Sequence, residues 1–188
     1  MSTDFTLFDT KIGLCGIAWN DAGIFCTQLP EGDAVRSRAR FLQRVPDARE
    51  ATPPPQVQAV IERIVTLLEG GKGDDFTDVA LDMERLPEFN RAVYAIARKI
   101  LPGETITYGD IAKQLGGVQL SRDVGQAMGK NPFPIIVPCH RVLAAGAKPG
   151  GFSARGGTTT KLKMLAIEGA YVNHTPSLFD AAPRHARH

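Results

Sequence analysis

Prolines at 132, 134 and 138 set the strongest local constraint in this 188-residue chain. They punctuate the apolar run Phe133-Pro134-Ile135-Ile136-Val137. Proline has no backbone N–H to give a helix and pushes the residue before it out of helical backbone, so the run is barred from helix and reads as an extended path. Being apolar, it belongs inside, and it delivers Cys139-His140-Arg141 into the interior.

Helices are expected on both sides of it. Pro87 suits a first helical position, and Phe89, Val93, Ile96, Ala97 and Ile100 share one apolar face that ends before Pro102-Gly103. Thr107 can cap a helix over Tyr108 to Leu115, stopped by Gly116-Gly117, and Ser121 can cap another over Arg122 to Gly129. Two short helices across a glycine turn make a helix-turn-helix pattern, one that many helical pairs share. Gly146 to Gly157 reads as a loop, Thr160 to Glu168 as a last helix, and Tyr171 to His188 as a loose tail.

The first half reads differently. Gly13 to Trp19 and Gly23 to Leu29 are β-leaning runs joined by Asn20-Asp21-Ala22, a hairpin pattern. A charged helix is expected over Arg36 to Glu50; Ala51-Thr52-Pro53-Pro54-Pro55 stops it and starts a helix over Val57 to Leu68. A third strand around Phe76 to Leu81 leads to Met83-Glu84-Arg85-Leu86-Pro87, a boundary between segments 1–84 and 85–170, with 171–188 as the tail.

With 43% hydrophobic and 22% charged residues the chain can bury a real core, which excludes intrinsic disorder and collagen-like repeats. No apolar run approaches the roughly 20 residues of a membrane span, and Met1-Ser2-Thr3-Asp4 begins no basic-then-apolar leader, so a cytoplasmic protein without membrane contact is expected. Cys15, Cys26 and Cys139 are too few, and odd in number, for a disulfide framework. No histidine precedes His140, so no metal site is expected from local spacing. Charge is unevenly spread: residues 1–84 hold 8 Lys/Arg against 14 Asp/Glu, and residues 85–163 hold 12 against 4. The second half is the one suited to an anionic partner, nucleic acid foremost.

Pro138-Cys139-His140-Arg141, preceded by Ile135-Ile136-Val137 and followed by Val142-Leu143, resembles the active-site signature of the O6-alkylguanine-DNA alkyltransferases, also called methylated-DNA-protein-cysteine methyltransferases. The resemblance extends in the family's order through Gly103-Glu104-Thr105-Ile106-Thr107-Tyr108, Arg122-Asp123-Val124-Gly125-Gln126-Ala127-Met128 and Asn131-Pro132 to Gly156-Gly157 and Leu165-Ala166-Ile167-Glu168-Gly169. It implies an α/β architecture: an N-terminal ribonuclease-H-like α/β domain, then a mainly helical domain with a winged helix-turn-helix.

The chemistry agrees with it. Taking an alkyl group from a guanine oxygen calls for a soft nucleophile at an unactivated carbon, and a thiolate is the best that proteins possess. Cys139 is the one cysteine in a basic neighbourhood. His140 is its sequence neighbour, so a proton would pass between them through a water rather than directly. The resemblance implies that Glu168 orients His140 and holds its charge, that Asn131 is a hinge tying the helical pair to the active-site segment, and that Tyr108 presses on the target phosphate and hydrogen-bonds the leaving oxygen.

A base inside a duplex is out of reach of a buried thiol, so the nucleotide must be turned out. The resemblance makes Arg122 the finger that fills the gap, with Ser121, Gln126, Lys130 and Arg141 as further DNA contacts. It puts Phe152, Ser153, Gly156 and Gly157 in the alkylguanine pocket, with Lys161 and Val142 beside them. The expected partner is duplex DNA carrying O6-alkylguanine, met through the minor groove by a monomer with no cofactor; the alkyl group ends irreversibly on Cys139. Three other readings compete: a recognition protein that flags alkylated bases without removing them, in which another residue usually replaces the cysteine; a dimeric operator-binding regulator; and a cysteine hydrolase.

Overall fold

The structure is a computed structural model that describes residues 2–71, 73–170 and 172. The first strand, β1 (Asp4–Thr10), pairs antiparallel with β2 (Gly13–Asn20), and β2 with β3 (Gly23–Gln28). Helix α1 (Ala34–Arg44) follows, then the two-residue β4 (Arg49–Glu50), which lies parallel to β1 and completes the order β3-β2-β1-β4. Helix α2 (Pro55–Leu68) ends the first half.

Side-chain alternation assigns the faces of this sheet. Cys15, Ile17 and Trp19 of β2 point into a cluster with Val57, Val60, Ile61 and Ile64 of α2, whereas Phe5, Ala18 and Cys26 point to Phe41 of α1 and Val45 just after it. Helix α1 comes very close to β2, for a Cβ on Gly16 would stand 2.8 Å from the Phe41 ring. Only glycine fits there.

The second half is helical: α3 (Glu88–Ala97), α4 (Tyr108–Leu115), α5 (Ser121–Gly129) and α6 (Thr158–Ile167). Between them, β5 (Ile106–Thr107) pairs in parallel with β6 (Val142–Leu143). Thr107 and Asp110 form a reciprocal capping box at the start of α4. The cluster that contains Trp19 and α2 continues without a break into Val93, Tyr94, Ile111, Val124 and Met164, so the two halves share one core. No helix among the described residues is long and apolar enough to cross a membrane.

Several local expectations need correction. The sequence patterns mark no strand before Gly13, yet Asp4–Thr10 form β1. The charged helix ends at Arg44, because Pro46 cannot continue it and the residue before it, Val45, leaves helical backbone; Arg49 and Glu50 are strand. Residues 76–81 form no strand: Phe76 has φ of +52°, Arg98 takes the Phe76 and Val79 carbonyls, and only an isolated bridge joins Ile24 to Leu81. Ser121 does not cap α5, whose cap is Leu120; its hydroxyl donates to the Val118 carbonyl. The proline run avoids helix as expected, yet it is folded back rather than extended: Val137 N–H reaches the Phe133 carbonyl at 2.8 Å and Ile135 has φ of +79°. The last helix starts at Thr158 and ends at Ile167. The tail expected over 171–188 lies outside the described residues, Val172 apart.

Candidate active site

The folded-back proline segment is what positions the thiol. Asn131 holds both ends of the turn, its Nδ2 donating to the Val137 carbonyl and its Oδ1 accepting from Phe133 N–H, each at 2.9 Å. Directly after it, Cys139–Arg141 form one short 3-10 turn, from which β6 runs beside β5 and so beside the start of α4. Cys139 is 7% exposed and touches two cavities, of about 330 and 240 Å³. Burial pushes its thiol up, while Asn131, the Lys161 charge and local backbone N–H groups pull the other way.

Behind the thiol sits a closed charge cluster. His140 Nε2 and Glu168 Oε1 are 2.8 Å apart, and Arg141 grips the same carboxylate with Nη2 at 2.7 Å and Nε at 2.9 Å. Arg141 Nη1 donates to the Ile100 carbonyl. Burial alone would raise the Glu168 carboxyl, but the bonds from His140 and Arg141 outweigh it and bring it down to about 2. An ionised carboxylate only accepts, so Nε2 of His140 carries the proton and Nδ1 keeps its lone pair. That Nδ1 is buried and makes no hydrogen bond among the described residues. Burial also lowers the imidazole below the usual histidine range, so it is neutral at pH 7.

The larger cavity is lined by Tyr108, Gly125, Met128, Gly129, Cys139, Gly151, Phe152 and Ser153. Tyr108, at the first position of α4, closes over the loop, its hydroxyl 3.4 Å from the Gly151 carbonyl. Gly125 and Gly129 lie one turn apart on α5, and a Cβ at either would meet nothing within 4 Å, so their lack of side chains opens the space. Arg122 falls on the same helical stripe, exposed and in no ion pair among the described residues.

The site thus brings together Cys139, His140, Glu168, Asn131, Tyr108, Phe152 and Ser153, with Lys130 on the wall of the smaller cavity, while Arg122 lines neither cavity and stands exposed on α5. Other expected residues stand elsewhere. Arg141 is 1% exposed and committed to Glu168 and Ile100, which rules it out as a DNA contact. Val142 is buried in the core, not in a cavity wall. Lys161 lies behind the pocket, fully buried, its Nζ donating to the Val142 carbonyl at 2.6 Å and standing 5.7 Å from the centre of the Tyr108 ring. Burial lowers its ammonium to about 8. Gly156 and Gly157 do not line the pocket; with φ of +82° and +49° they turn the chain into α6. Gln126 is exposed on another face of α5, beside Phe89 and Asn90, and Ser121 is spent on Val118.

Sequence reading does not single out Thr27. It sits at the end of β3 and bolts the active-site turn to the first half: its N–H reaches the Pro132 carbonyl at 2.9 Å and its Oγ1 the Pro134 carbonyl at 2.7 Å. A lone threonine in a strand carries no signal for this. The glycine pair 125 and 129, at helical spacing, carries one.

The model of the 6-O-methylguanine DNA methyltransferase DNA-binding domain matches residues 88–170. A methylated-DNA–protein-cysteine methyltransferase of Methanothermobacter thermautotrophicus is 30% identical over 154 residues, 82% of this chain and 78% of the relative. The crystal structure of the Mycobacterium tuberculosis O6-methylguanine methyltransferase superposes with a TM-score of 0.70 at 29% identity, over 89% of this chain and 93% of that one. A second structure from that organism, of OGT in complex with DNA, matches with the same score and identity over 88% and 92%. Both likenesses extend well beyond the helical half.

Proposed function

Since this chain belongs to the methylated-DNA–protein-cysteine methyltransferase family, we propose that it repairs DNA by direct reversal, moving the alkyl group of O6-alkylguanine irreversibly onto Cys139. The observation that carries this reading is the buried thiol on the wall of an open cavity, with a neutral imidazole beside it whose second nitrogen is locked by an ionised carboxylate. A recognition-only protein has no use for that set.

The steps follow from the geometry. The proton of Cys139 passes through a water to His140 Nδ1, while the Nε2–H bond to Glu168 holds the ring in place. The thiolate sulfur attacks the alkyl carbon, a C–S bond forms, and the O6–C bond breaks with its electron pair going to the guanine oxygen. Tyr108, which lines the cavity, steadies that oxygen by a hydrogen bond. Cys139 ends as a thioether, so each molecule acts once. Arg141 already neutralises much of Glu168, so the carboxylate serves orientation more than charge.

We read Arg122, exposed on the α5 stripe that carries Gly125 and Gly129, as the side chain that enters the base stack from the minor groove, and Phe152 and Ser153, which line the cavity, as holding the turned-out base. The sheet order β3-β2-β1-β4, with β4 parallel to β1, supports reading residues 1–84 as a ribonuclease-H-like domain; α4, α5 and the β5–β6 pair support a winged helix-turn-helix in 85–170. We read the protein as a cytoplasmic monomer. The test is a duplex with a labelled methyl on guanine O6: native protein takes the label, and Cys139→Ala binds the duplex but takes none. Label on the Cys139→Ala protein would refute the reading.

A further inference from the structure

The first half, acidic overall, contains one helix with no acid in it: α1, which carries Arg36, Arg38, Arg40 and Arg44. Two of the four are neutralised, Arg36 by Asp33 and Arg38 by Glu50. Arg40 and Arg44 pair with no carboxylate among the described residues, and they lie one helical turn apart. Arg44 does donate to the Thr27 carbonyl at 2.8 Å, but a carbonyl leaves its charge uncompensated.

These two unpaired arginines line the smaller cavity, opposite Lys130 and Ser153, and its wall includes Cys139 itself. Glu31 is the one carboxylate there, so three cations face one anion. This cavity and the larger one share Gly129, Cys139, Phe152 and Ser153. A nucleotide seated in the larger cavity would have its neighbours on the strand at the mouth of the smaller one.

We infer that Arg40 and Arg44 form a second DNA-binding edge, on the N-terminal half, that holds backbone phosphates flanking the turned-out nucleotide. The inference rests on the proposed function, because it takes the larger cavity as the seat of the base. Phosphates bound here would release counterions, giving an affinity that depends on salt but not on sequence.

The test compares two substitutions with the same change in charge: Arg40→Gln, in the groove, and Arg38→Gln, on the same helix but outside it. Binding of a duplex with one O6-methylguanine is titrated over a range of salt in a Cys139→Ala background. Arg40→Gln should weaken binding about three- to tenfold near 0.1 M salt and lower the slope of log affinity against log salt by about one. Arg38→Gln should change affinity less than twofold. With Cys139 restored, transfer from free O6-methylguanine, which has no phosphate, should be unchanged by Arg40→Gln. Equal behaviour of the two variants, or a free-base rate that falls along with DNA affinity, overturns the inference while leaving the proposed function intact. A parent protein that does not bind the lesion duplex at all overturns both.

Discussion

Glu168 is where the charges of the site meet, and it makes the clearest prediction at the scale of one residue. Glu168→Gln leaves Arg141 buried without a counter-ion, a change that costs about 3–5 kcal/mol when a buried pair is broken. It also frees the His140 ring, so the transfer rate should fall in the protein that remains folded; chemical denaturation and single-turnover rates measure the two effects separately. The pH dependence has a definite sign. The Glu168 carboxyl is at about 2 when folded, below the roughly 4.3 of an unfolded glutamate, so its contribution to stability is complete above that value and is lost as pH falls toward 2. The acid limb of a stability profile should therefore shrink in Glu168→Gln. Lys161 works in the opposite sense: burial holds it at about 8, below its unfolded value, so it costs stability below pH 8 and ceases to cost as pH rises through about 10.4. Lys161→Met should remove that alkaline rise.

Among the elements, the bond between β3 and the active-site turn links fold to chemistry. Thr27→Val keeps the shape but loses the hydroxyl bond to the partly buried Pro134 carbonyl, at a cost of about 0.5–1.5 kcal/mol. Because that turn carries Cys139, the transfer rate should fall as well, and Thr27→Ser should restore both; a rate unchanged in Thr27→Val would show that the turn holds itself. At α4, Thr107→Ala removes one half of the capping box and should cost about 1 kcal/mol in a denaturant titration. This scale is also where sequence reading succeeds and fails. The hairpin, α2, α3, α4 and α5 were legible because glycine, proline and apolar spacing all pointed the same way. β1 was legible in principle, since Phe5 alternates with polar neighbours, but Leu7-Phe8 breaks the pattern. The turn at Phe76 and the fold of the proline run depend on distant partners, Arg98 and Asn131, and no local signal holds them. The same is true of Arg141: its type suggests a DNA contact, and only the fold reveals Glu168 beside it.

For the molecule as a whole, the continuous core has a consequence for unfolding. Trp19 belongs to the first half yet packs in the cluster that also holds α3, α4 and α5. Its fluorescence and the helical circular dichroism should therefore be lost in one coincident thermal transition, and separate transitions would mean that the halves fold independently. Cys139 and His140 could be named from sequence because they are consecutive residues of one motif, and Glu168 because the resemblance extends to Leu165–Gly169; the first half's part in the site, through Thr27 and α1, could not, since it exists only across the shared core. Intact-protein mass spectrometry with peptide mapping reads alkyl transfer to Cys139 directly. After mixing with an equimolar duplex carrying one O6-methylguanine, the protein should gain the mass of one CH2 group, on the Cys139 peptide, saturating at one per molecule. A duplex that is bound but leaves the mass of the protein unchanged, or a gain on Cys15 or Cys26, would contradict it.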